Sequence, residues 1–318
     1  MVEGKITYRV IASASPFRKG LIAKLSGIIS LKIGFVQSVI HMLAQRPKAV
    51  IGFGGYPSLA PIVVGRLCRA TCILHEQNAV MGRANRLLCK LAHHVALSFT
   101  PTKNCPDDVP LTHTGLPVRA AFEAITPYEV RAAKCHLVVI GGSLGAQIFS
   151  DILPSAIAQL PEAHKRNLVI TQQARDEHIA MLSSAYASQG ISAQVARFYH
   201  DIAYLYEQAD IIISRAGASS VAEIAAAGRA SILIPFAAAM DDHQTGNAAN
   251  LAENSAALMI SEQQATAQNL AAHLQDLIAN HEKRTKIAHA AKAQSCSGNA
   301  QAIARLTGVN APTQGAAL

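Results

Sequence analysis

Tryptophan is absent from the 318-residue chain, and aromatic residues make up only 5% of it. A nucleic-acid surface that stacks bases on rings is therefore not expected, and no nucleic acid is among the expected partners. Zinc spacing is also missing. Cys68, Cys72, Cys89, Cys105, Cys135 and Cys296 include one close pair, with no Cys/His pair to complete it. The six read as reduced, small core residues of a cytosolic protein. The first ten residues contain no apolar h-region, so no signal peptide is expected there. Leu21–Leu43, the most apolar stretch, is interrupted by Lys24, Lys32, Gln37 and His41 and reads as too polar to span a bilayer. It fits an amphipathic helix, either lying on a membrane or packed on a sheet.

Acidic residues are scarce in the first third. Residues 1–120 hold 15 Lys and Arg against four Asp and Glu, whereas the remainder holds 13 against 16. A basic region implies an anionic partner: nucleic acid, a phosphorylated substrate or an acidic membrane surface. Half of the residues are apolar, so a chain of this length can build two domains.

Strand-like and helix-like segments alternate. Strands are expected at Ile6–Ile11, Ala49–Phe53, Thr71–Leu74, His94–Ser98 and Leu111–Thr114. Helices are expected over Ser58–Arg69 and Met81–Leu91. Ala120–Arg131 reads as a linker. The alternation restarts with strands at Leu137–Ile140, Leu168–Gln172, Ala193–Val195, Ile211–Ser214, Ile232–Pro235 and Ala257–Ile260, and a helix over Ala146–Leu160. Ala265–Leu306 reads as helical with a break at Gly298, and the tail Asn310–Leu318 is expected to fray. The pattern is α/β, with two parallel sheets covered by helices. The expected domains are 1–120 and 134–318, joined by 121–133, with the last helix a candidate to return to the first domain. Ligands of such folds sit at the carboxyl ends of the strands, and two facing edges would enclose a cleft.

The segment Ile211–Glu223 is the most informative. A β-branched strand meets a tight turn at Gly217, and Ser219 or Ser220 can cap the following helix. Such a turn presents backbone N–H groups to an anion. Glu223, one turn in, can accept two hydrogen bonds from a ribose diol, or can complete a capping box. Gly141–Ala146 follows a strand and opens a helix, as a phosphate-binding turn does, but lacks both the Walker A ending and full G-x-G-x-x-G spacing. His75-Glu76-Gln77-Asn78 follows Thr71–Leu74. Four such side chains at a strand end face either a ligand or a polar network. The second histidine of H-E-x-x-H is replaced by Ala79, so no metal is expected there. Arg119, behind Pro117, suits a diphosphate or stands solvated in the linker. Asp241 or Asp242 is a candidate N-cap, with Gln244 able to donate to and accept from sugar hydroxyls or to face solvent.

Taken in order, Gly54-Gly55-Tyr56, His75–Asn78, Gly115–Arg119, Gly141–Ala146, Arg215–Glu223 and Asp241–Asn247 resemble the MurG family of UDP-N-acetylglucosamine transferases. The resemblance covers the chain from about Gly20 to the last helix. It implies a GT-B fold of two Rossmann-like domains facing across a cleft, and inverting, metal-independent transfer without a cofactor. The transfer would run from UDP-GlcNAc to the undecaprenyl-linked acceptor of peptidoglycan biosynthesis. It implies that Asn78, Arg119, Ser143 and Gln244 contact UDP-GlcNAc and that Tyr199 meets the uracil mainly through backbone. Ala218, Ser219, Ser220, Val221, Ala222 and Glu223 would hold diphosphate and ribose. Gly54, Gly55 and Tyr56, with His75 and Glu76, would line the acceptor side. Phe17–Arg46 would rest on an anionic membrane surface, the cytoplasmic face of the inner membrane. The family's Gly-Gly-Thr-Gly-Gly-His loop, whose His is its general base, has no counterpart here, and Leu144 stands where Gln is frequent. The expectation is a first domain incomplete at its N-terminus, with the catalytic base encoded upstream of Met1. Other readings are a non-catalytic UDP-sugar-binding fragment and a different GT-B enzyme such as a UDP-GlcNAc epimerase.

Overall fold

The computed structural model describes residues 8–14, 20–130, 134–142, 146–296 and 298–309. Two compact units divide the chain. One comprises Met1–Gln77, Met81–Thr114 and Ala300–Leu318; the other comprises Asn78–Val80 and Gly115–Asn299.

In the first unit, α1 (Leu21–Gln45) precedes β1 (Ala49–Gly52), α2 (Leu59–Leu67), β2 (Thr71–Glu76), α3 (Arg83–Leu88), β3 (His94–Leu97) and β4 (Leu111–His113). The four strands are parallel, in the order β1-β2-β3-β4. Its core joins Ile62 of α2 to Cys72 and Leu74 of β2, Leu88 of α3 and Val95 of β3. The expected strand at Ile6–Ile11 is not found over its described part. Tyr8 and Val10 are both 81% exposed, and the segment runs on to α1, where Gln37 Oε1 accepts the Ala12 N–H at 2.8 Å. Cys68 is exposed, contrary to the expectation of a core residue, while Cys72, Cys89 and Cys135 are buried.

α1 packs on α2, and its buried positions are Gly27, Gly34 and Ser38, with Gly34 lying against the Ala12 carbonyl. Its other side leaves Leu25, Ile28, Ile29, Ile33, Val36, Val39, Ile40 and Leu43 exposed. The expectation that its polar residues exclude a span needs correction. Lys24–Gln45 has a window of mean hydropathy 1.5 and is long and apolar enough to cross a bilayer. Lys24 and Lys32 are too widely spaced to offset the aliphatic residues between them.

The second unit runs α4 (Ala120–Glu123), β5 (Cys135–Ile140), α5 (Gln147–Ala158), α6 (Glu162–Arg166), β6 (Leu168–Gln173), α7 (Asp176–Ser188), β7 (Ser192–Ala196), α8 (Ile202–Gln208) and β8 (Ile211–Ser214). It continues with α9 (Ala218–Ala227), β9 (Ala230–Leu233), α10 (His243–Glu253), β10 (Leu258–Met259), α11 (Ala267–Ala279) and α12 (His281–Ala293); α13 (Asn299–Leu306) follows and from Ala300 on belongs to the first unit. The sheet is parallel, in the order β10-β9-β8-β5-β6-β7. β8 and β9 are buried along their whole length, as strands covered on both faces must be. β9 ends two residues earlier than expected, because Pro235 has no N–H to extend the ladder. The C-terminal helical run is broken at Asn280 as well as near Gly298, with the Asn280 side chain capping α12 through the Lys283 N–H.

The stretch read as a linker is packed within this unit. It holds α4 and buries Phe122, Ile125 and Tyr128. Tyr128 OH donates to Asp210 at 2.7 Å and accepts from Arg284 Nε at 3.1 Å, while the other Asp210 oxygen accepts the His136 N–H at 2.8 Å. Asp210 and Arg284 are nearly inaccessible, and both are hydrogen-bonded, as buried polar groups must be, with Tyr128 OH between them.

Candidate functional site

Strand order reverses beside β5: β6 and β7 extend one way, and β8, β9 and β10 the other. An open parallel sheet forms its crevice at such a switch point, outside the carboxyl ends of the strands. A cavity of about 740 Å³ lies there, lined by Gly141 and Gly142 after β5, Arg215, Gly217, Ser219 and Ser220 after β8, and Phe236, Gln244 and Glu262 beyond β9.

Gly217, not a serine, is the N-cap of α9, and no side chain caps the helix. The serine reading fails because the helix starts at Ala218, which puts both serines inside the first turn. The first helical bond is Val221 N–H to Gly217 O at 3.0 Å. The amides of Ala218, Ser219 and Ser220 therefore precede the helical ladder and face the cavity end of the dipole. The Val221 side chain is buried in the core, and Ala222 lies behind the first turn.

Gln244 is more constrained than expected. Its Oε1 accepts from Ala216 N–H at 3.2 Å and Phe236 N–H at 3.0 Å. The oxygen is thus occupied, and what Gln244 offers the cavity is its amino group. Asp242 stands at the N-cap of α10, but its left-handed φ of 54° turns the carboxylate from the helix amides, and it accepts from Thr245 Oγ1 at 2.6 Å. Asp241 has a φ of 52° and caps no helix.

Arg215, inside the most informative motif, is directed inward. Its guanidinium pairs with Glu262 at 2.5 Å and donates to the carbonyls of Ile234 and Pro235 at 3.2 Å each. The other Glu262 oxygen accepts the Ala237 N–H at 2.8 Å. Burial raises the Glu262 pKa, but the Ala237 N–H and Arg215 outweigh it and hold the carboxyl below its ordinary value. Sequence reasoning missed Glu262; a lone acid 47 residues from Arg215 carries no local signal.

Arg119 and Glu223, separated by 104 residues, meet at 3.4 Å. Arg119 also stacks 4.9 Å from the Phe122 centroid, while its side chain stays 59% exposed. Burial pushes the Glu223 carboxyl above its ordinary range, and Arg119 only partly opposes this. Asn78 is held against Asn247 of α10 at 3.1 Å. Tyr199 follows β7, with its hydroxyl donating to Gln194 O at 2.9 Å. Ser143, like Leu144, lies outside the described residues.

In the first unit, β2 runs two residues longer than expected, and His75 and Glu76 lie inside it, buried. Parallel pairing with β3 continues to Glu76, which the sequence hid by its polarity. Glu76 Oε2 accepts from Asn85 Nδ2 at 2.8 Å and Gly82 N–H at 2.9 Å, and His75 Nε2 lies 3.4 Å from Ser98 Oγ. Both side chains belong to a buried polar network. Gly54 and Gly55 follow β1 with φ of 83° and 71°, a left-handed pair that a side chain would strain, and Tyr56 opens a short 3₁₀ turn.

Comparison with known proteins agrees with this architecture. Residues 136–306 match the glycosyltransferase family 28 C-terminal domain and residues 3–97 its N-terminal domain. A Methylorubrum extorquens protein named UDP-N-acetylglucosamine--N-acetylmuramyl-(pentapeptide) pyrophosphoryl-undecaprenol N-acetylglucosamine transferase is 39% identical over 78% of this chain and 69% of its own length. A Mesorhizobium japonicum protein of the same name is 42% identical over 76% and 66%. The chain thus spans about two thirds of these relatives. The crystal structure of Acinetobacter baumannii MurG superposes with a TM-score of 0.75 and 28% identity, covering 89% of this chain and 80% of that one. A putative UDP-N-acetylglucosamine 2-epimerase from Listeria monocytogenes gives a TM-score of 0.63 at 14% identity, over 92% of this chain and 80% of that one, a likeness of fold alone. The fold is GT-B, and the chain belongs to glycosyltransferase family 28 and, within it, to the MurG family.

Proposed function

We propose that this chain transfers N-acetylglucosamine from UDP-GlcNAc to undecaprenyl-pyrophosphoryl-N-acetylmuramyl pentapeptide in peptidoglycan biosynthesis, with inversion and without a metal. The observation that carries this reading is the switch-point cavity, lined by the first turn of α9 and Gln244, with the Glu223–Arg119 pair further along the same helix. Uncapped α9 amides, the Gln244 amino group and the Glu223–Arg119 pair are the groups a nucleoside diphosphate sugar requires. The α9 amides and Arg119 take the diphosphate and stabilise the charge that grows on departing UDP as the acceptor hydroxyl attacks the anomeric carbon. Glu223 accepts from the ribose hydroxyls. Gln244 and Asn78 donate to the ligand, Ser143 takes phosphate, and Tyr199 meets the base.

The acceptor pyrophosphate is assigned to Gly54, Gly55 and Tyr56, on an edge that His75 and Glu76 hold in shape. The protein is placed peripherally on the cytoplasmic face of the inner membrane. The exposed aliphatic side of α1 and the basic excess of residues 1–120 support this. Aliphatic residues enter the interface while Lys and Arg meet anionic headgroups, each contributing about 1 kcal/mol.

Calorimetry with UDP-GlcNAc tests the reading. The wild-type chain is expected to bind, and Glu223→Ala to weaken binding by about 1–3 kcal/mol through a lost charged hydrogen bond. Absence of binding by wild type, or equal affinity in the variant, would overturn the assignment.

A further inference from the structure

β9 is buried along its whole length, and the chain stays buried through Ile234 and Pro235. The first residue to leave the core at this strand end is Phe236, which is 43% exposed and lines the switch-point cavity. A ring left partly in water forgoes part of its burial energy. Three ties hold it there. Its N–H donates to Gln244 Oε1 at 3.0 Å. The Arg215 guanidinium stacks 5.2 Å from its ring centroid. The next N–H, that of Ala237, donates to Glu262 at 2.8 Å, and Glu262 pairs with the same Arg215. Arg215 also lies 5.7 Å from the centroid of Phe149, a core ring, so the guanidinium links Phe236 to the body of the unit. Phe236 O accepts the Ala239 N–H at 3.0 Å, which closes a turn at this point.

These ties fix an aromatic ring in the wall of a cavity that is otherwise rich in polar groups. The faces of such a ring carry negative potential and attract C–H groups that neighbouring oxygens have polarised. In a nucleoside diphosphate sugar, the hexose has such a C–H face, bordered by hydroxyls. Gln244 brings both requirements together: its oxygen holds the Phe236 N–H, and its amino group is what it offers the cavity. A hydroxyl that accepts from that amino group lies beside the ring. Sheet order agrees. Tyr199, assigned to the base, follows β7 at one edge of the sheet, the α9 amides follow β8, and Phe236 follows β9 on the far side of the switch point.

We infer, resting on the donor-site reading above, that Phe236 is the platform for the hexose of the donor, its ring meeting the C–H face of the pyranose.

Calorimetry of the full chain with UDP-GlcNAc and with UDP tests this, because UDP is the same ligand without the hexose. Phe236→Ala is expected to weaken UDP-GlcNAc roughly five- to tenfold and to leave UDP within about twofold of wild type. Phe236→Leu keeps an apolar side chain without a ring and should lose nearly as much. Phe236→Tyr keeps the ring and should bind UDP-GlcNAc within about twofold of wild type. Equal losses for UDP and UDP-GlcNAc in Phe236→Ala overturn the inference, since the residue then shapes the loop or meets the nucleotide. Wild-type affinity for UDP-GlcNAc in Phe236→Leu also overturns it, because bulk and not the ring is then what matters. If wild type itself fails to bind UDP-GlcNAc, the donor-site reading falls and takes this inference with it. If wild type binds and Phe236→Ala binds UDP-GlcNAc equally well, only the platform falls.

Discussion

The two sheets place polar residues at equivalent positions, the carboxyl ends of parallel strands, and use them in opposite ways. In the first unit, Glu76 and His75 are buried and turned into the protein, and the Glu76 carboxylate is spent on Asn85 and Gly82. In the second, the α9 amides precede the helical ladder, Glu223 is only partly buried, and Gln244 keeps its amino group for the cavity. A carboxylate at a strand end is therefore no marker of a ligand by itself. What distinguishes the two is whether the neighbouring donors already consume it.

Glu76→Ala should have the largest effect on stability. It removes the acceptor of the Gly82 N–H and of one Asn85 amino hydrogen, the Asn85 amino group keeping only His75 O, at a cost of about 3 kcal/mol. Chemical denaturation reads this as a lower midpoint; a loss under about 1 kcal/mol would mean the first edge is not held by its own network.

An intermediate effect is expected at Arg215, where the active edge contains a pair of the inactive kind. Its side chain and that of Glu262 are 12% and 23% exposed. Breaking the pair with Arg215→Met should cost about 1–3 kcal/mol, less than for a fully buried pair because solvent screens it. Adding Glu262→Gln should restore most of that stability. UDP-GlcNAc affinity should fall in the single variant, since the loop carrying Phe236 and Ala237 loses its anchor.

The smallest effect on stability carries the opposite sign. Burial holds the Glu223 pKa above its ordinary value of 4.5. A carboxyl raised in the folded state contributes stability that is complete below the unfolded value and lost as pH rises through the folded one. Glu223→Gln should therefore stabilise the unliganded protein slightly at neutral pH, while weakening UDP-GlcNAc. In wild type, UDP-GlcNAc affinity should decline on acidification from above 4.5, because the esterified diphosphate has no proton to gain there and Glu223 does. In the glutamine variant the profile should flatten. Affinity titrations at several pH values check this, and destabilisation of the glutamine variant at neutral pH would place Glu223 with Glu76.

Periodicity and turn chemistry made most of the fold legible. The β-branched run Ile211–Ile213 and the glycines after β5 and β8 announced the strands and their turns, because those signals are local. Long-range pairing was illegible. Nothing near Arg215 points to Glu262, and nothing near Asn78 points to Asn247, since each partner lies in another element. Polarity misled at His75 and Glu76, where a network with Asn85 of α3, Gly82 and Ser98 holds polar side chains inside β2. The caps misled for a geometric reason: a serine beside a glycine looks like a cap, but one residue of shift in the helix start turned Ser219 and Ser220 into first-turn amides.

The borrowed segment Asn78–Val80 has a consequence for how the chain is made. A ribosome that has just released Asn78 must add 169 more residues before Asn247 exists to receive it. At about 5–20 residues per second that interval is roughly 10–30 s. The first unit, for its part, includes residues from Ala300 onward. Asn78–Val80 is made early and waits for its partner, whereas the first unit receives its last piece only after the whole of the second has been made, so slowing translation after Val80 lengthens both waits without changing a single residue.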